Sequence, residues 1–306
     1  MSVLVDGLHL NTYVAPGLLE EFRNFNDAFI SVLPRANEAA VSTDGIRMNK
    51  LINNVGFKVN NTDPFVAAAM AGKKVIIPWD KLDTTPTKVD DAEIRGLAFE
   101  KRSAVRVKHS EAFKIGVRDY CLRKLAPAAA TSVMPILRTT GADDGTGRKR
   151  LTYADLIKFF TGLDQLELTN KGGYNLTLNP KHKQDLILER SETTNYRDGI
   201  VIDQTTGELK QFYTMKIWEN NAYPLYIPNN TLKAEGASAA GTDRDASIFF
   251  YAPNSVYYIN AVKMLYKPET TDTNSADPTS EFRLQTYGLC EKVQEHGFGA
   301  LVSGIV

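Results

Sequence analysis

Lys73-Lys-Val-Ile-Ile-Pro-Trp79, a polar interval closing on Val89-Asp-Asp-Ala-Glu-Ile94, then Lys101-Arg-Ser-Ala-Val-Arg-Val-Lys-His109 and Ser110-Glu-Ala-Phe-Lys-Ile-Gly-Val-Arg-Asp-Tyr-Cys-Leu-Arg-Lys-Leu-Ala-Pro127 carry the architecture of this chain. Val75, Ile76 and Ile77 are β-branched, and Val105 and Val107 alternate with Ala104, Arg106 and Lys108. That alternation puts apolar and polar groups on opposite faces of an extended segment and predicts two strands, 75–77 and 104–108, forming one arm. From His109 to Leu125 the period changes. Ala112, Phe113, Gly116, Val117, Tyr120 and Cys121 share a helical stripe, and Pro127 ends or kinks the helix. Residues 128–137 are read as a resumption of helix.

The stretch between the expected strands is polar, with Thr84-Thr-Pro-Thr87 and Asp90-Asp91 at its middle. Its large apolar residues, Trp79, Leu82, Ile94, Leu97 and Phe99, are too sparse for a private core. Two-stranded ribbons are marginal in water, so these five residues are expected to be covered by a neighbouring subunit. Arg106, Lys108, Arg118 and Arg123 make the following segment basic and are candidates for a strip facing DNA or the carboxylates of a neighbour.

Working outward, Leu18, Leu19, Phe22, Phe25, Phe29 and Leu33 keep helical spacing between Pro16 and Pro34, which predicts an amphipathic helix. Thr152 with Asp155 is a capping-box-like start to a helix through Phe160. Tyr174–Leu178 reads as a strand, and Asn179-Pro180 opens a helix through Leu188. Gln211–Trp218 and the strongly apolar Ser247–Ala252 are strands, and Glu281–Cys290 with Lys292–Val302 are expected to pair at the end.

With 306 residues, the chain can bury a sizeable core. Its 36 basic and 36 acidic side chains cancel, so any attraction to nucleic acid must be local. No apolar run approaches the roughly 20 residues a bilayer demands, and Met1–Leu10 lacks the pattern of a secretory signal. Cys121 and Cys290 are far apart and read as free, buried thiols. The four histidines have no companions at ligand spacing, and no metal or cofactor is expected. Asp90, Asp91 and Glu93 lack the converging partners of a hydrolase or metal site, and Asp143-Asp144-Gly145-Thr146-Gly147 reads as a turn. Phosphate-cradling glycine loops and serine nucleophile elbows are missing.

The order of strand, loop and long helix resembles the HK97-type major capsid proteins of tailed double-stranded DNA bacteriophages. Leu151-Thr-Tyr-Ala-Asp-Leu-Ile157, Gly173-Tyr-Asn-Leu-Thr-Leu-Asn-Pro-Lys-His182 and Asp185-Leu-Ile187 are similar to the helix, strand and helix of that family's axial domain. Phe282-Arg-Leu-Gln-Thr-Tyr-Gly-Leu-Cys-Glu-Lys-Val293 and Gly299-Ala-Leu-Val302 are similar to its closing peripheral strands. The resemblance implies an α+β fold with an N-terminal arm at 1–60 and the start of a peripheral domain at 61–74. An extended β-hairpin loop at 75–108, a spine helix at 109–140, an axial domain at 141–265 and closing peripheral strands at 266–306 follow.

It implies no enzymatic activity but self-assembly into hexamers and pentamers of an icosahedral shell around double-stranded DNA, in the virion after assembly in a host cytoplasm. The implied partners are further copies of the chain, a portal protein, packaged DNA held nonspecifically and decoration proteins. No long charged helix precedes the arm, so a separate scaffolding protein is expected. Lys81, Lys88 and Lys101 lie in or beside the loop, but no acceptor Asn or activating Glu for a crosslink is identifiable. An encapsulin-like compartment would use the same fold. A carbohydrate-processing enzyme would need two converging carboxylates beside Trp218, Tyr223 and Tyr226.

Overall fold

The computed structural model describes residues 28–51, 59, 60, 62, 64, 72–90, 101–192, 199–203, 205–221, 223–274, 276 and 278–306. In chain order, β1 (Val41–Ser42), β2 (Gly45–Leu51) and β3 (Gly72–Pro78) form an antiparallel ribbon. β4 (Asp80–Asp83) and β5 (Thr87–Asp90) lead to the long helix α1 (Lys101–Leu125). Next come β6 (Ile136–Arg138), β7 (Arg148–Lys149), α2 (Tyr153–Asp164), β8 (Tyr174–Leu178) and α3 (Pro180–Glu192). β9 (Ile200–Ile202), β10 (Leu209–Phe212), β11 (Met215–Glu219), β12 (Leu225–Tyr226) and β13 (Arg244–Tyr251) follow. β14 (Ser255–Ile259), β15 (Lys263–Lys267), β16 (Thr279–Lys292), β17 (Phe298–Val302) and β18 (Gly304–Ile305) close the chain.

Two sheets organise these elements. One is built on β16, which pairs antiparallel with β14 and β15 along one edge and with β4 and β5 along the other. The other runs β6-β17-β13-β8-β11-β10-β9, with β12 beside β13. In this second sheet alternate residues serve different cores. Ile248 and Phe250 of β13, with Phe298, Ala300 and Val302 of β17, face the cluster holding Phe113, Val117, Cys121 and Leu125 of α1. Phe249, Tyr251 and Leu301 face α2 and α3. The period-2 alternation of a strand therefore sandwiches the sheet between α1 and the α2–α3 layer, which explains why Ile248–Tyr251 of β13 and all of β17 are apolar on both faces.

Local chemistry fixes several boundaries. Thr152 Oγ1 accepts from Asp155 N at 3.1 Å while Asp155 Oδ2 accepts from Thr152 N at 3.3 Å, closing the capping box expected there. The α3 start is likewise as expected, with Asn179 Oδ1 accepting from Lys181 N at 2.8 Å and Pro180 in the first turn. Asp143 Oδ1 accepts from Gly145 N and Gly147 N, a turn as read. Both thiols are buried and free. Beyond α1, Tyr226 Oη and Lys292 Nζ donate to the Pro127 and Ala126 carbonyls, each at 2.7 Å, so side chains take the place of a further helical turn.

Several expectations are corrected. Residues 104–108 are helix, not strand, because Val105, His109, Phe113, Val117 and Cys121 continue one i, i+4 stripe that outweighs a four-residue alternation. The partner of β3 is β2, paired from Gly45↔Pro78 to Leu51↔Gly72, so the ribbon shares only residues 75–78 with the expected 75–108 loop. Helix does not resume over 128–137: Pro135 blocks it, and Ile136–Arg138 pair in parallel with β17. Gln211–Trp218 is a hairpin turned at Tyr213, whose φ is 47°. β16 and β17 belong to different sheets rather than pairing, so the expected closing segment 266–306 is shared between them. β14 and most of β15 fall before the boundary expected at 265, yet both pair with β16 beyond it. Of the N-terminal helix expected over 16–33, residues 16–27 lie outside the described residues. Ile30–Val32 form a 3-10 turn with Phe29 buried against Phe250.

A buried polar chain ties α3 to one end of the adjacent strands β13 and β17. His182 is fully buried, with Nδ1 2.7 Å from Ser247 Oγ and Nε2 2.9 Å from Ser303 Oγ. Ser247 Oγ also accepts Asn179 N–H at 2.9 Å, so one hydroxyl joins α3's first turn to the His182 ring. One turn on, Asp185 receives Arg148 in a two-pronged pair at 2.7 and 2.9 Å and also Leu151 N at 2.9 Å. Burial, aided by Arg148 and Lys181 and opposed by Asp185, pushes His182 down to about 4.

Because the folded value lies below that of the unfolded chain, the unfolded state binds the extra proton as pH falls. Stability is complete above about pH 6.5 and is lost on descent through about 4, by about 3 kcal/mol for this group. Denaturant unfolding of the unassembled chain and of His182→Gln should therefore converge in stability as pH drops from about 7 to about 4. A constant difference between the two across that range would contradict the assignment.

Candidate functional site

The features that stand out among the described residues are the ribbon, its anchor and α1. Ile46 is fully buried at the ribbon base, in a small cluster with Ala36, Val256 and Leu289. Trp79 packs on that cluster, donates Nε1–H to the Ser42 carbonyl at 3.0 Å and stacks at a tilt on Tyr258, centroids 5.6 Å apart. Arg35 lies over the other partner of that stack, 5.6 Å from the Tyr258 centroid. At Gly45 a β-carbon would meet the Ile77 carbonyl oxygen at 2.0 Å, so only glycine permits this close strand approach. The ribbon base is thus held by its own chain, while Ile76 on its outer face is 52% exposed.

Immediately beyond, β4 is bound to α1 through a charged knot. Asp80 Oδ2 accepts from Tyr120 Oη at 2.5 Å and from Lys124 Nζ at 2.9 Å, and Lys124 also reaches Glu291 of β16 at 3.4 Å. Burial works to raise the Asp80 carboxyl, but the Tyr120 hydrogen bond and the Lys124 ammonium hold it below its ordinary value. Burial and the same carboxylate push the Tyr120 phenol strongly upward. The knot holds one strand, one helix and the long central strand of the first sheet in fixed register.

Against this geometry the predicted contact residues separate. Trp79 and Leu82 are covered by their own chain: Leu82 packs on the α1 cluster and sits opposite Thr286 in the β4–β16 pairing. Residues 80–83 and 87–90 are thus strands paired with β16 of the same chain. Ile94, Leu97 and Phe99 lie outside the described residues. The four cations do not share a strip. Starting from Arg106, Lys108 lies about 200°, Arg118 about 120° and Arg123 about 260° around the helix. Arg106 and Lys108 are exposed, with Lys108 3.2 Å from Glu111. Arg118 meets Asp119 at 2.9 Å, and Arg123 donates to the Lys233 carbonyl and faces Glu235 at 3.8 Å.

The aromatics proposed for a sugar platform do not form one. Tyr226 is buried, Trp218 Nε1–H donates to Asn175 Oδ1 at 2.9 Å, and Tyr223 lies beneath Lys181. Residues missed from the sequence include Asp80, Tyr120, Lys124 and His109. The i, i+4 spacing of Tyr120 and Lys124 was a visible signal; their meeting with Asp80 was not.

Trp79→Ala should lower the stability of the unassembled chain by about 2–3 kcal/mol, since it empties a cluster belonging to that chain. Tyr120→Phe should cost about 1–2 kcal/mol through the lost bond to a carboxylate. Denaturant titration measures both, and unchanged midpoints would mean that the anchor and the knot do not hold the subunit.

No family model and no curated protein matches the chain. Solved structures do. The capsid structure of the cyanophage P-SCSP1u aligns with a TM-score of 0.62 at 14% identity, over 90% of this chain and 87% of that one. A structure of Mycobacterium phage Che8 gives 0.59 at 12% identity, covering 90% of both chains. A virus-like particle from Pyrococcus furiosus gives 0.53 at 12% identity, covering 93% and 96%. Aligned over 90% of its length with these capsid chains, the chain has the HK97-type capsid fold.

Proposed function

We propose that the chain is a major capsid protein that assembles as hexamers and pentamers into an icosahedral shell around double-stranded DNA. The observation that carries this is the overlay on capsid chains, 90% of this chain on 87% of the cyanophage subunit. The ribbon gives it a physical reason. Its base is spent on its own core, whereas Ile76 of β3 faces solvent, and so do Val107 and Ile115 on α1. Exposed apolar groups on an element that is marginal alone gain most from a neighbouring copy, and many weak repeated contacts suffice for a closed particle.

In this reading the sheet on β16 with α1 is the peripheral domain, and the sheet on β13 with α2 and α3 is the axial domain. A separate scaffold, a portal protein and decoration proteins belong to the same proposal, as does assembly in a host cytoplasm. Exposed Arg106 and Lys108 are the remaining candidates for DNA phosphate or a neighbour's carboxylate, a contact that is nonspecific and salt-sensitive. The fold likeness to the Pyrococcus furiosus particle keeps a cargo compartment as the second reading, at a lower TM-score of 0.53.

Co-expression with the scaffold encoded beside it should yield hollow spherical particles by negative-stain microscopy; only monomer or a small closed oligomer, with soluble scaffold present, would refute the proposal. Ile76→Ser should leave the unassembled chain within about 0.5 kcal/mol of its original stability yet reduce particle yield. Equal yield from the two chains would remove the ribbon's outer face from the contact.

A further inference from the structure

The corner where β6, β17 and β13 lie side by side gathers charge that the assembly reading does not use. Arg138 of β6 stands opposite Val302 of β17, and Ala246 of β13 stands opposite the same Val302. Arg244, two residues before Ala246, shares its face, so both arginines leave the sheet on the side of α1 with β17 between them. Each is held by uncharged acceptors. Arg138 Nε donates to Asn230 Oδ1 at 2.6 Å, Nη1 to the Ser303 carbonyl at 3.2 Å and Nη2 to the Ile227 carbonyl at 2.8 Å. Arg244 Nη1 donates to the Gly241 and Asp243 carbonyls at 2.7 and 3.0 Å, and Nη2 donates at 3.0 Å to the Gly147 carbonyl, which also accepts the Val306 amide. Arg244 Nε is buried and has no partner.

The carboxylates of this corner are committed elsewhere: Asp243 to Lys233, Asp245 to Lys181, and Asp144 and Asp185 to Arg148. Asp143 spends Oδ1 on the Gly145 and Gly147 amides. Among the described residues no carboxylate, that of Val306 included, pairs with Arg138 or Arg244. Two partly buried guanidinium groups therefore share one face of the sheet with nothing to neutralise them. Burial, and then the charge of Arg244, hold Arg138 below its ordinary value.

We propose that Arg138 and Arg244 form an anion site for a phosphate group. A guanidinium does not give up its proton near neutral pH, so a counter-anion is what relieves the repulsion between the two. The Nε–Nη2 edge is the side of a guanidinium that grips an oxyanion through two parallel N–H bonds, and on Arg244 that edge carries the unpartnered Nε. Reaching it displaces the exposed turn at Gly241, whose carbonyl the same guanidinium holds. A tetrahedral phosphate presents acceptors in several directions and answers two guanidiniums on different strands, whereas a planar carboxylate fits a single fork. The phosphate is either the free anion or part of a nucleic-acid backbone, and the site stands whether or not the chain builds a shell.

The test uses the full unassembled chain at constant ionic strength. Inorganic phosphate, exchanged against chloride, should move the Arg244 Nε–H resonance saturably in nitrogen–proton NMR and raise the thermal midpoint; acetate should do neither. Arg138→Gln and Arg244→Gln should each weaken the apparent affinity about tenfold through the lost charge-assisted bonds. A random-sequence DNA duplex separates the two sources. Competition for the same resonance, weakening with salt, assigns the site to nucleic-acid phosphate, and phosphate binding without competition assigns it to the free anion. No saturable shift, an equal response to acetate, or full affinity in both variants would each overturn the site. The resonance measurement stands on the unmodified chain should the variants fail to fold.

Discussion

The packing of α1 determines the rest. Its 25 residues span about 37 Å, and a single stripe from Phe113 through Val117, Cys121 and Leu125 is buried against residues of both sheets: Phe282, Leu284 and Cys290 of β16, and Ile248 and Phe250 of β13 with their β17 neighbours. A helix that serves two sheets at once makes them one body. The cost is that the helix can be neither shortened nor rotated without opening both contacts, so its ends are secured by separate devices. Side chains from β12 and β16 satisfy the carbonyls past its C-terminal end, and the Asp80–Tyr120–Lys124–Glu291 knot holds its flank.

Polar groups inside this body follow one design. His109 and His182 both bridge two hydroxyls, and in both the first hydroxyl also accepts a backbone amide. Such bridges satisfy every buried donor and acceptor only in a single register. They add specificity where apolar contacts alone would tolerate sliding, at the β4–β5 turn in one case and between α3, β13 and the chain's last residues in the other. Arg148 with Asp185 and Asp144 does the same for the loop before α2.

The ribbon is the reverse of this internal satisfaction. Trp79, Tyr258 and Ile46 give it a rigid root, but little of the subunit covers Ile76. The element therefore joins a rigid root to a half-exposed apolar outer face.

Wherever the deciding interactions are local, the residues could be read directly. Thr152 with Asp155, Asn179 before Pro180, the Asp143 turn, the apolar run of β13 and the end of α1 at Pro127 each depend on contacts within a few residues, and each stands as read. The order of extended segments before a long helix was enough to suggest the fold. Which strands pair was not legible, because β-ladders join residues far apart and a short alternating run satisfies several partners equally. Hence 104–108 reads as a strand until the full i, i+4 stripe claims it for α1, β3 turns back to β2, and β16 and β17 part into different sheets. The candidate site followed the same rule: the sequence by itself determined its local helices, caps and apolar faces, whereas only the tertiary structure brought Asp80 to Tyr120 and His109 to Thr84 and Thr87, since those meetings depend on how β4, β5 and β16 close against one helix.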